Sequence, residues 1–253
     1  LGQIERMPGR YRKGDTQMKC LVIIPAYNEE ENIVRVVENL KQNYEQLDYV
    51  IINDGSKDHT AQICRENGYQ LVNLPTNLGL AGAVQAGMKY ALCHGYNAAI
   101  QFDADGQHRP EYIRPMLNLL NEGYDIVIGS RFVMEKKPTT LRMLGSFLLT
   151  SAIYLTTGKK ITDPTSGMRM YNRRMIEELA TQINCAPEPD TVSYFIRRGA
   201  KVGEIQVTMD ERIAGASYLN LTRSMGYMLR MGISILILQW FRKGPRFDER
   251  EGA

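Results

Sequence analysis

From Cys20 onward, short runs of apolar, β-favouring residues alternate with stretches whose apolar positions recur every three to four residues. CLVII is followed by a helical pattern from about Glu29 to Asn43, then DYVIIN, a helix around Thr60 to Glu66, and YQLVNL. The rhythm continues with a helix near Leu80 to Cys93, AAIQF, a helix near Pro110 to Asn121, and YDIVIG. Strands that are apolar without alternation are buried on both faces, and strands joined through helices pair in parallel by right-handed crossovers. The pattern therefore predicts an α/β chain with a mostly parallel sheet flanked by helices. After Arg131 the rhythm changes to a helix over about Thr140 to Thr157, a basic turn and the run ITDPTSGMRMY. A shorter helix, a strand near Lys201 to Thr208 and a long terminal helix from about Tyr218 to Phe241 complete the pattern. No internal repeat or low-complexity segment interrupts it.

Composition narrows the class. With 253 residues, 43% hydrophobic and 23% charged, the chain has the make-up of one folded α/β domain or two small ones and not that of a disordered polymer. Residues 1–18 are polar and charged, which predicts a flexible tail and no secretory signal, and hence a cytoplasmic chain. Four scattered cysteines without CxxC spacing predict reduced core thiols. The net charge is only +3, but it is unevenly spread: nine basic residues face two acidic ones between Arg131 and Arg174, and five face none between Thr222 and Arg246. Without a long basic stripe interleaved with aromatics, this predicts no nucleic-acid partner and points to phosphates or a membrane surface.

Ligands of an open parallel sheet gather at the carboxyl ends of its strands. The first strand ends in Pro25-Ala26-Tyr27-Asn28-Glu29-Glu30, an acidic loop with none of the glycines of a dinucleotide fold. The second ends in Asn53-Asp54-Gly55-Ser56, where Asp54 is placed to accept hydrogen bonds from a base or ribose, unless the segment is only an Asx-turn with Ser56 or Asp58 as a helix cap. The fourth ends in Phe102-Asp103-Ala104-Asp105-Gly106-Gln107-His108. Two carboxylates two residues apart repel unless a cation lies between them, so Asp103 and Asp105 are candidate ligands of Mg²⁺ or Mn²⁺. Gln107 could add a carbonyl oxygen, and His108 makes Mn²⁺ chemically reasonable. An Asp-rich turn with no metal is the competing reading. Asn77 to Ala83, with small residues opening the third helix, fits close helix packing or approach of a ligand.

In order, VIIPAYNEEENI, INDGSKDHT, NLGLAGAVQAG, FDADGQH, IGSRF, DPTSGMRMYNR and ERIAGASYL resemble family 2 glycosyltransferases of the GT-A fold, with dolichol-phosphate mannose synthases and other polyprenyl-phosphate glycosyltransferases as the nearest kin. The resemblance covers about residues 20 to 220. It implies a Rossmann-like GT-A domain over 19–217, with a donor half to about residue 130, an acceptor half after it, and acceptor-side helices toward the C-terminus. It implies that Pro25, Tyr27, Glu29 and Asp54 hold the nucleoside of a UDP- or GDP-sugar. Asp103, Asp105 and Gln107 would bind Mg²⁺ or Mn²⁺ on its diphosphate, and Arg131 and Arg212 would approach the phosphates at the reaction centre. The implied reaction is metal-dependent transfer of a hexose, with inversion, to a lipid phosphate.

Three functions stay distinct at the level of sequence. A lipid monophosphate is already anionic and needs arginines more than a base, for which Arg131, Arg169 and Arg212 are candidates. A sugar hydroxyl, as in cell-surface polysaccharide synthesis, needs a general base, for which Glu188 or Asp190 is available unless both simply open a helix. A non-catalytic sugar-nucleotide-binding subunit would have no need of both Asp103 and Asp105. Residues 218–253 form the last unit. There Met231 to Leu238 is apolar on every side yet spans only about 12 Å, too short to cross a bilayer. This predicts peripheral attachment at the cytoplasmic membrane face, a small membrane-protein partner, or a homo-oligomer contact.

Overall fold

A computed structural model describes residues 18–135, 137, 141–182, 186–210, 221–242, 244, 246 and 247. The first half runs β1 (Cys20–Ala26), α1 (Ile33–Asn43), β2 (Asp48–Asn53), α2 (Thr60–Glu66), β3 (Leu71–Asn73), α3 (Gly79–Cys93), β4 (Ala98–Gln101), α4 (Ile113–Asn121) and β5 (Ile126–Ser130). The second runs α5 (Leu141–Thr157), β6 (Arg169–Asn172), α6 (Arg173–Thr181), α7 (Pro189–Arg197), β7 (Val202–Gln206) and α8 (Leu221–Leu236). These strands form one sheet in the order β3-β2-β1-β4-β6-β5-β7.

Alternate residues of the central strands go to opposite sides, as their unbroken apolar runs require. Leu21, Ile23, Val50 and Ile52 face a cluster shared with α3, α5, α6, α7 and α8. Val22, Ile24 and Ile51 face a second cluster with α1, α2 and α4. Gly87 lets α3 press onto β1, since a Cβ there would collide with the side chain of Ile23.

Three features depart from the sequence reading. The run RMYN, to which the sequence pattern assigned no element, is β6, which lies antiparallel between β4 and β5 in an otherwise parallel sheet. A four-residue strand inside a polar motif carries no periodic signal of its own, and its neighbours supply its hydrogen bonds. It also joins the two halves of the chain into one sheet. The expected single shorter helix is two, α6 and α7. The terminal helix ends at Leu236 and is followed by a short 3₁₀ turn, Leu238–Trp240, and by Phe247, which is fully buried edge-on against Phe195 with ring centroids 5.9 Å apart. The last described residue is therefore built into the core.

The cysteines divide as well. Cys20 and Cys64 are buried, but Cys93, at the end of α3, is exposed, and Cys185 lies outside the described residues. Burial pushes the Cys20 thiol up to about 12, with Asp48 adding to the effect, and the Cys64 thiol up to about 11. Thiolate is the reacting form, so limited alkylation of the native protein followed by peptide mass mapping is expected to label Cys93 well before Cys20 or Cys64. Equal rates at the three sites would contradict this packing.

Candidate functional site

The carboxyl ends of β1, β2 and β4 open on one cleft of about 470 Å³. Its walls include Pro25, Tyr27, Glu29, Asp54, Asp103 and Asp105, six of the nine residues expected at the site. Asn77, Gly79, Leu80 and Ala83 complete one side, so the small-residue opening of α3 lines the cleft, while Ala83 also belongs to the core.

Local chemistry dictates how the loops stand. Asn28 has a left-handed backbone (φ 55°), a conformation Asn tolerates better than most residues. The loops after β1 and β2 are then stitched together: Asn28 N–H donates to Ser56 Oγ, Lys57 N–H to Asn28 Oδ1, Glu29 N–H to Thr60 Oγ1 and Glu30 N–H to Asp58 Oδ2. Asp58 also accepts from Thr60 N–H at the start of α2, and Ser56 bonds Asn53 instead of capping the helix. Asp54 makes no local turn. Its Oδ1 accepts from Leu78 N–H at 2.7 Å, tying β2 to the opening of α3.

The two aspartates after β4 are held from several directions. Gln101 Nε2 donates to Asp103 Oδ1 at 3.0 Å, and Gln107 N–H donates to Asp105 Oδ1 at 3.1 Å. His108 is buried, accepts from Asp103 N–H at Nδ1 (2.9 Å) and brings Nε2 to 3.6 Å from Asp103 Oδ2. Both ring nitrogens thus face Asp103, and His108 braces a carboxylate where the sequence suggested a metal preference. Gln107 lies next to the cleft. Its Nε2 donates to the Asp210 carbonyl, Asp210 N–H donates back to the Gln107 carbonyl, and Arg109 pairs with the Asp210 carboxylate. Asp210 is the last described residue before the segment that carries Arg212, which lies outside the described residues.

Among the described residues no third His, Cys, Asp or Glu joins the Asp103/Asp105 pair to form a three-ligand cluster. The pair still fits Mg²⁺ or Mn²⁺. Such ions are commonly held by one or two carboxylates, with substrate phosphates and water supplying the remaining oxygens. The Gln107 amide has its nitrogen occupied and its oxygen as the remaining acceptor.

The loop between α5 and β6 supports the same pair from the other side. Thr162 and Asp163 N–H donate to Glu204 on β7, Ser166 Oγ donates to the Gly129 carbonyl, and a Cβ at Gly167 would come within 2.8 Å of Asp103 Oδ2. Asp163 is fully buried and receives Arg131 Nε at 2.7 Å and Nη2 at 2.9 Å, a bidentate pair. Arg131 is not among the residues lining the cleft. Arg169, a phosphate candidate by sequence, is buried and donates to the carbonyls of Ser166, Pro164 and Pro187. It pins the loop and has no surface for a ligand. Glu188 precedes Pro189 at the start of α7, as its helix-opening reading requires, and Asp190 accepts from Ser234 Oγ of α8 at 2.7 Å. Gly167 and Glu204 were not legible as site residues, because each acts through a partner distant in sequence; Gln101 acts on Asp103 two residues on, and its signal was its place at the end of β4.

Residues 21–180 match the model of Glycosyl transferase family 2. The chain belongs to this family. Among its relatives, the UDP-N-acetylglucosamine–dolichyl-phosphate N-acetylglucosaminyltransferase of Methanococcus voltae is 34% identical over 74% of this chain and 83% of its own. The polyprenol monophosphomannose synthase of Mycolicibacterium smegmatis is 29% identical over 93% and 91%. Among solved structures, glucosyl-3-phosphoglycerate synthase of Mycobacterium tuberculosis, in complex with Mn²⁺, UDP and glucosyl-3-phosphoglycerate, superposes with a TM-score of 0.61 over 93% of this chain and 88% of its own, at 16% identity. That likeness shows the GT-A fold. Family membership makes the protein a glycosyltransferase, and its strand-end cleft is the candidate active site.

The Arg131–Asp163 pair gives a stability prediction. Burial alone would raise the Asp163 carboxyl, but the Arg131 bonds outweigh it and hold the group below the usual carboxylate range. A depressed folded-state value stabilises fully above the unfolded value, about pH 4, and is lost as pH falls through the folded one. Asp163→Asn is expected to cost about 2–3 kcal/mol in urea unfolding near neutral pH and to flatten the acid side of the stability curve. A variant as stable and as acid-sensitive as the parent would refute the assignment.

Proposed function

We propose that this family 2 glycosyltransferase moves a hexose from a UDP- or GDP-sugar to a polyprenyl-type lipid phosphate, using Mg²⁺ or Mn²⁺ and inverting the anomeric carbon. The observation that carries the reading is the convergence of Tyr27, Glu29, Asp54, Asp103 and Asp105 on one cleft at the ends of three adjacent strands. The two named relatives act with dolichyl or polyprenol phosphates, which favours the acceptor class.

In this reading Asp54 and Glu29 orient the nucleoside and Asp103 and Asp105 hold the divalent ion, with the Gln107 amide oxygen beside them. The bound ion would neutralise the charge that develops on the departing nucleoside diphosphate. An acceptor phosphate oxygen attacks the anomeric carbon from the face opposite the diphosphate, so one C–O bond forms as the other breaks. No proton has to be removed from such an oxygen. Arg131 is 29% exposed, which leaves its guanidinium, oriented by Asp163, surface with which to meet a phosphate. Arg212 has the same proposed role. In this reading the enzyme works at the cytoplasmic face of a membrane, either directly or through a small membrane-protein partner.

Asp105→Ala is expected to lower transfer at least about 100-fold while thermal unfolding stays near that of the parent, because the lost carboxylate faces the cleft. The assay supplies several sugar nucleotides with a polyprenyl phosphate and Mn²⁺ or Mg²⁺ and follows the lipid-linked product. Undiminished turnover in excess chelator would overturn the metal role.

One observation favours a sugar hydroxyl as acceptor. Burial raises the Glu188 carboxyl above its ordinary range, Asp190 adds to this, and Arg230 and Arg169 oppose it. A base with a raised pKa would make kcat/KM fall as pH drops through a value above the usual carboxylate range. Glu188→Gln decides between the readings. Under lipid-phosphate transfer kcat changes by less than about threefold, and under hydroxyl transfer it falls by about 100-fold or more.

A further inference from the structure

We propose that Arg109 is a positioning residue for the divalent ion: through Asp210 it fixes Gln107, and through Gln107 it fixes Asp105. This deepens, and rests on, the metal-dependent reading above. In the sheet, β6 and β5 separate β7 from β4, yet the chain leaving β7 reaches the turn that follows β4. Thr208 N–H donates to Tyr112 Oη, just before α4, at 3.0 Å, and Asp210 N–H donates to the Gln107 carbonyl at 2.9 Å. Gln107 returns a bond from Nε2 to the Asp210 carbonyl at 3.2 Å, and its N–H holds Asp105 Oδ1 at 3.1 Å. Every polar group of Gln107 except the amide oxygen is thereby committed, and that oxygen is the one left for an ion.

Arg109 completes this clamp from 101 residues away in sequence. Its Nε and Nη2 both donate to Asp210 Oδ1, a fork that a single ammonium cannot reproduce. Arg35 of α1 closes the opposite side of the turn: Gly106 has a left-handed backbone (φ 78°), and a Cβ there would collide with the Arg35 guanidinium. The side chains of Arg109 and Asp210 are 38% and 45% exposed, and an ion pair so open to water adds little to stability. Its effect is on direction. Arg109 is not among the residues lining the cleft, so it acts on the ion only through the groups it orients. Mg²⁺ and Mn²⁺ are hard ions held by oxygen, Mg²⁺ demands near-octahedral geometry, and contacts that orient metal ligands set affinity almost as strongly as the ligands do.

The test titrates the full chain with Mn²⁺ alone and reads the free ion by EPR, so it needs neither donor nor acceptor. Arg109→Met is expected to weaken Mn²⁺ binding about tenfold while thermal unfolding stays near that of the parent. Asp210→Ala, which keeps the backbone pair with Gln107 and removes the acceptor of the fork, should reproduce the effect. The two changes together should weaken binding no further than either alone, because both break one chain of contacts. In the transfer assay the Mn²⁺ concentration for half-maximal rate should rise by the same factor, with kcat restored at saturating ion, whereas a general structural fault would keep kcat low. The clamp is overturned if Arg109→Met binds Mn²⁺ as tightly as the parent, if the two variants are additive, or if affinity falls only together with thermal stability. Asp105→Ala separates this outcome from the functional reading. If it abolishes Mn²⁺ binding while Arg109→Met leaves it intact, the clamp alone falls; if it binds Mn²⁺ as the parent does, the ion site in the cleft falls and the clamp with it.

Discussion

Four carboxylates open onto one cleft, and their mutual repulsion is the constraint around which the site is built. Each is oriented by a neutral N–H donor: Asn32 Nδ2 for Glu29, Leu78 N–H for Asp54, Gln101 Nε2 for Asp103 and Gln107 N–H for Asp105. These donors fix the direction in which each carboxylate meets the cleft. Holding that arrangement requires rigid supports on every side. The stitched loops after β1 and β2 form one, the opening of α3 a second, and the loop between α5 and β6 a third.

The third support explains why β6 runs antiparallel. The loop must bring Gly167 against Asp103 and then enter the sheet beside β4, so the chain arrives at the carboxyl end of the parallel strands and can only run back. Arg169 and the Arg131–Asp163 pair freeze this loop from inside, using charged groups as structural pins. A buried arginine with three carbonyl acceptors has its desolvation largely compensated, and removing any of these contacts would loosen the wall behind the carboxylates. The first and second halves of the chain therefore share one sheet and one set of buried polar contacts.

The helical layer made by α5, α7 and α8 is knit together by Ser234–Asp190 and by Phe247 against Phe195, and Arg198, just past α7, ties it to Glu178 of α6. Its inner face is core and its outer face is apolar, a combination that a single hydrophobic core cannot satisfy.

Much of this was legible in the chain itself. Buried parallel strands announce themselves as unbroken apolar runs, helices by their period, and the strand-end acids by position, so CLVII, DYVIIN, the helix at Thr60–Glu66 and the convergence of Asp54, Asp103 and Asp105 follow from local pattern. The tertiary structure alone decided the rest. That RMYN is a strand, that His108 braces Asp103, that Arg169 is a pin and that Phe247 is core all depend on partners 5 to about 70 residues away. Local sequence records which side chains are apolar or charged and at what spacing. It does not record which distant backbone group will be left needing a hydrogen bond, and that need fixed the role of each of these polar residues.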